Sequence, residues 1–101
     1  MDFKELPAFA RQADKLIGQD EVKAVKDFLT EDPHAGVVIP KSGGLRKLRW
    51  AASGRGKSGG ARIIYFLRAA NGTIYLCEIY AKAAQSDLTP KQAKNIQRRL
   101  P

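Results

Sequence analysis

The chain has 101 residues, 44% of them hydrophobic, which allows one small folded domain over residues 1–101 and excludes a disordered polymer. Eighteen Lys and Arg against ten Asp and Glu give a net charge of +8, which suits a polyanionic partner such as RNA, DNA, a membrane surface or an acidic protein. No apolar run approaches a membrane span, no secretory signal is expected behind Met1-Asp2-Phe3-Lys4-Glu5, and the single Cys77 rules out an internal disulfide; a cytoplasmic chain is the expectation.

In chain order, Pro7 suits the first turn of a helix whose apolar positions are Phe9, Ala13, Leu16 and Ile17, with Gly18 as its stop. Asp20 is the expected cap of a second helix carrying Val22, Val25, Phe28 and Leu29, and Asp32-Pro33 ends it. A loop from His34 leads to a short extended stretch at Val37-Val38-Ile39, and Ser42-Gly43-Gly44 turns the chain. Three strands follow. The first covers residues 45–51, with Leu48 and Trp50 on one face and Lys47 and Arg49 on the other. The glycine-rich residues 53–60 read as a loop, and residues 62–68 as a β-branched and aromatic strand. Asn71-Gly72 is a hairpin signal. The third strand, 73–80, contains Ile74-Tyr75-Leu76-Cys77, apolar on both faces as in a central, covered strand. Thr89, Pro90 and Gln92 form the capping-box pattern of a last helix, with Ala93, Ile96 and Leu100 as its apolar stripe. The order of elements implies an α+β domain with helices packed on an antiparallel sheet.

The charge is concentrated in the middle. No acid lies between Pro33 and Cys77, where Lys41, Arg46, Lys47, Arg49, Arg55, Lys57, Arg62 and Arg68 stand. Elsewhere cations and acids cancel. The stretch A-A-S-G-R-G-K-S from Ala51 to Ser58 approaches a phosphate-binding loop, but its first position is Ala, it leads into a strand rather than a helix, and no acidic Mg-binding strand follows. It reads instead as a basic hairpin tip whose Arg55 and Lys57 clamp phosphates. Metal chemistry is not expected, because His34 is the only histidine and Cys77, Glu78 and Asp87 are not spaced as a ligand set. A serine triad lacks a histidine base near an elbow-like serine.

Lys47, Arg49 and Arg62 fall on consecutive strands, and Lys82 follows the third. Such cations converging on one groove repel each other unless a polyanion sits there. Cleaving RNA through its own 2′-hydroxyl needs a base for that hydroxyl, stabilisation of a dianionic phosphorane and an acid for the leaving 5′-oxygen. Arginine serves the second need, its fork matching phosphate. A lysine among other cations, Tyr65 or Tyr80 is open as acid or base. A basic sheet face that only binds is the plainer reading.

The segments G-G-L-R-K-L-R-W (43–50), G-x-G-K-S-G-G-A-R-I-I-Y-F (54–66), I-Y-L-C-E-I-Y-A-K (74–82) and S-D-L-T (86–89) together resemble HigB toxins of the RelE/ParE superfamily. The resemblance implies a RelE-like α+β fold with two N-terminal helices, an antiparallel β-sheet of three or more strands and a C-terminal helix. It further implies a type II toxin, a ribosome-dependent endoribonuclease that cuts messenger RNA in the decoding site without a cofactor or metal. The partner would be a HigA-type helix-turn-helix antitoxin, through which alone operator DNA is met, and no membrane is involved. The family's catalytic positions fall on Lys47, Arg49, Arg62 and Lys82; Arg46, Arg55, Lys57 and Arg68 would bind RNA or ribosome. RelE-type enzymes often carry an arginine after the lysine that follows the last strand and a tyrosine near the start of the last helix. Here Ala83, Ala84 and Thr89 stand there, and the tyrosine's part either falls to Tyr80 or is lost. Two alternatives share this sequence pattern: a ParE-like gyrase poison and a catalytically impaired nucleic-acid-binding homologue.

Overall fold

The computed structural model describes residues 1–51, 60–85 and 87–101. Its elements are β1 (Asp2–Glu5), α1 (Pro7–Leu16), α2 (Gln19–Glu31), β2 (Val37–Val38), β3 (Arg46–Trp50), β4 (Ala61–Arg68), β5 (Thr73–Ala81) and α3 (Pro90–Arg99). The glycine-rich tip, with Arg55 and Lys57, lies outside the described residues. The five strands form one sheet in the order β1-β5-β4-β3-β2. The α+β architecture read from the sequence is therefore present, with one addition. Strand β1 pairs in parallel with β5, Phe3 opposite Ile74, at the edge of an otherwise antiparallel sheet.

Two helices cover one face. Phe9 and Ala13 of α1 and Val22, Val25 and Leu29 of α2 pack on Leu48, Ile63, Tyr65, Ile74, Leu76 and Ile79. The second helix starts two residues earlier than expected: Gly18, with φ +83°, is its N-cap, and Asp20 sits inside the first turn. There its charge still complements the positive end of the helix. The opposite face receives α3, whose Ala93 and Ile96 pack on Leu45, Ile64, Tyr75 and Cys77. The capping box at its start is formed as expected, Thr89 accepting from the Gln92 N–H and the Gln92 side chain from the Thr89 N–H.

Two local features position the open part of that second face. A bulge sets Ile64 opposite Glu78 but Tyr65 opposite Leu76, leaving Cys77 as the extra residue of β5. Ile74 and Leu76 face the two N-terminal helices, and strict alternation would send Tyr80 there too. The extra residue reverses the parity, so Ile79 enters the first core and Tyr80 packs on the second. At the base of the β3–β4 connection, Gly60 has φ +65°, and a Cβ there would run into the Trp50 carbonyl oxygen. Only glycine fits.

The buried Tyr65 pins the loop before β2 to the sheet. Its hydroxyl donates to the Pro33 carbonyl and accepts from the Gly36 N–H, both at 2.8 Å. Tyr65→Phe strands that buried N–H, so it should cost about 1–3 kcal/mol. For a domain of this size each kcal/mol lowers the thermal midpoint by roughly 4–8 °C. Thermal denaturation followed by circular dichroism checks it.

Candidate functional site

Strand pairing places three of the anticipated side chains in a row. Arg49 of β3 is directly opposite Arg62 of β4, which is directly opposite Tyr80 of β5. Partners across a ladder share a face, with Cβ atoms about 5 Å apart. Two residues along β3, Lys47 pairs with Ile64, on the same face as Arg49. The row lies on the α3 side of the sheet but at the end next to the 52–59 connection. Lys82, exposed in the turn after β5, donates its backbone N–H to the Gly60 carbonyl at 3.1 Å and so flanks the same end.

Two guanidinium groups directly opposite one another are unfavourable for a sheet. Arg62 is also only 4% exposed, its Nη1 donating to the Ala61 carbonyl at 3.4 Å. The cation is thus set into the face rather than laid on it, in surroundings where its field is weakly screened. Arg49 is exposed.

Tyr80 presents its ring to the second core, and its hydroxyl is buried with no hydrogen-bond partner among the described residues. Burial, and after it the negative charge of Asp87, hold this phenol above its ordinary range; the Arg62 guanidinium pulls the other way. The hydroxyl is therefore protonated at neutral pH, a proton donor and not a base. Tyr65, the other tyrosine left open by the sequence, is on the opposite face and committed to the Pro33–Gly36 loop.

Among the described residues, one acid pairs with a cation of the groove, while Glu78, opposite Ile64, is paired with Arg99 of α3. Asp87 Oδ1 lies 3.0 Å from Lys47 Nζ. Sequence spacing gave no reason to pair residues 40 apart; the only signal was the position of Asp87 in the S-D-L-T stretch before the last helix.

The remaining cations divide. Arg46 is drawn away from the groove: its Nη1 donates to the carbonyls of His34 and Gly36, tying down the loop before β2. Arg68 stands six residues beyond Arg62, roughly 20 Å along the strand at about 3.3 Å per residue. Its guanidinium lies over Phe66 and Tyr75 and donates to the Pro101 carbonyl. Arg55 and Lys57 fall outside the described residues. Cys77, buried under α3, has its thiol pushed up to about 12 by burial and takes no part in the groove. Among the described residues, no three His, Cys, Asp or Glu come together to hold a metal, and no helix is long and apolar enough to cross a membrane.

An arginine pair, a lysine and a neutral phenol on one sheet face, Arg49 exposed and Arg62 and the Tyr80 hydroxyl buried, have the chemistry to bind a phosphate chain, stabilise added negative charge and deliver a proton. Comparison with protein families matches residues 4–99 to the RelE toxin of the RelE/RelB toxin–antitoxin system. That span is nearly the whole chain, and it carries with it a toxin's role and an antitoxin partner. The chain belongs to the RelE toxin family.

Proposed function

We propose that this toxin, of the HigB type, is a metal-independent endoribonuclease that cuts messenger RNA in the ribosomal decoding site. The observation that supports it best is the Arg49–Arg62–Tyr80 row across three adjacent strands, with Lys47 beside it. In the reaction, the ribose 2′-oxygen attacks the adjacent phosphorus and gives up its proton to water. The P–O5′ bond breaks, leaving a 2′,3′-cyclic phosphate and a 5′-hydroxyl. Arg62, with Arg49, stabilises the extra negative charge on the pentacoordinate phosphorus. Lys47 and Lys82 hold the ribose-phosphate chain, and Tyr80 delivers the proton to the leaving 5′-oxygen. Among the groove's side chains there is no histidine to act as base, so the ribosome has to hold the 2′-oxygen in line with the scissile bond. A HigA-type helix-turn-helix antitoxin in the cytoplasm would neutralise the protein by covering this basic face.

The reading is tested with purified protein and a defined messenger. Cleavage should occur on programmed ribosomes and be nearly absent on naked RNA. Induction in bacteria should arrest growth, and co-expression of the antitoxin should relieve it. Intact messenger together with inhibited DNA supercoiling would replace this reading with gyrase poisoning.

A further inference from the structure

Among the described residues, Asp87 is the carboxylate that pairs with a cation of the groove, and that pairing needs a reason. Asp87 and Lys47 form an ion pair whose side chains are 78% and 27% exposed. A pair so open to water contributes little to folding. A negative charge in a groove built for phosphate also opposes binding. What the pair does is fix a direction. Lys47 has four rotatable bonds, and the cations Arg49 and Arg62 on the same face push its ammonium outward.

Asp87 itself is firmly placed. Its carbonyl accepts from Gln85 Nε2 at 2.9 Å, and that amide also donates to Gln92 of α3. The next residue, Leu88, packs on the core beneath α3, and Thr89 caps that helix. The carboxylate is thus presented to Lys47 from just ahead of the first turn of α3.

We propose that Asp87 is a positioning residue of the groove, holding the Lys47 ammonium against the β5–α3 turn so that it meets the ribose-phosphate chain from one side. The inference rests on the ribonuclease reading. Asp87 acts through Lys47.

The test is a double-mutant cycle: single-turnover cleavage across a series of ribosome concentrations by wild type, Asp87→Ala, Lys47→Ala and the double variant. Because the Asp87 side chain is exposed, each variant carrying Asp87→Ala should melt like its parent. Asp87→Ala should slow cleavage at saturation by roughly five- to tenfold, since a loosened group loses alignment and not contact. The ribosome concentration at half-saturation should stay the same. In the Lys47→Ala background, removing Asp87 should have no further effect. Unchanged or faster cleavage by Asp87→Ala, a shift confined to half-saturation, or losses that add in the double variant would each overturn the assignment while leaving the ribonuclease reading intact. A wild type that leaves the messenger whole overturns both.

Discussion

Arg62→Ala should lower single-turnover cleavage on saturating ribosomes about a hundred- to a thousandfold, the usual cost of losing one donor aimed at transition-state charge. Its position makes this the largest single effect expected. Arg62 is the middle of the row, between Arg49 and Tyr80, and it is the most buried cation among the described residues of the groove. A guanidinium fixed in such surroundings needs little reorganisation when charge grows on the phosphorus. Its removal should leave the fold standing, because the adjoining Ile63, Ile64 and Tyr65 secure β4 through both cores and the like-charge contact with Arg49 disappears. Arg62→Lys should fall between the two, keeping a charge without the fork. Cleavage by Arg62→Ala at the wild-type rate, in protein whose melting is unchanged, would place the active groove elsewhere.

The sequence carried the row of cations further than it carried the tyrosine. Alternation alone put Lys47 and Arg49 on one face and Leu48 and Trp50 on the other, and the structure agrees. The capping box at Thr89 was equally legible, since it depends on residues three apart. Longer-range placement was not. Strand β1 is four residues, three of them exposed, with Phe3 alone turned to the core; so short a pattern reads as a charged terminus until its partner is known. The face chosen by Tyr80 depends on a bulge at Cys77, and no local residue preference announces it. Asp87 was invisible for a related reason: its partner Lys47 is brought to it only when α3 settles over the sheet. Charge counting did not separate the cations of the row from those beside it. Arg46 and Arg68 contribute to the central cationic stretch, yet both are spent on backbone carbonyls away from the row.

Tyr80→Phe should separate stability from activity. A buried hydroxyl without a partner costs roughly 1–3 kcal/mol, so deleting it should leave the thermal midpoint unchanged or raised. No hydrogen bond among the described residues is lost with it. Activity should move the other way. General acid catalysis is typically worth about 10²–10⁴ in rate, and the phenol is the one neutral oxygen acid in the row. Its folded-state ionisation is displaced upward by burial first and by Asp87 second. The donor form therefore predominates at neutral pH and is lost only as pH rises beyond the ordinary phenol range near 10.0. Wild-type cleavage should accordingly show no loss from this group between neutral and mildly alkaline pH, whereas Tyr80→Phe should be slow throughout. In the free protein the hydroxyl is shielded from water. Paired melting curves and single-turnover rates on the same preparations decide the matter. A phenylalanine variant that is stable and fully active would make the hydroxyl a spectator and return the acid's role to Lys47 or Lys82.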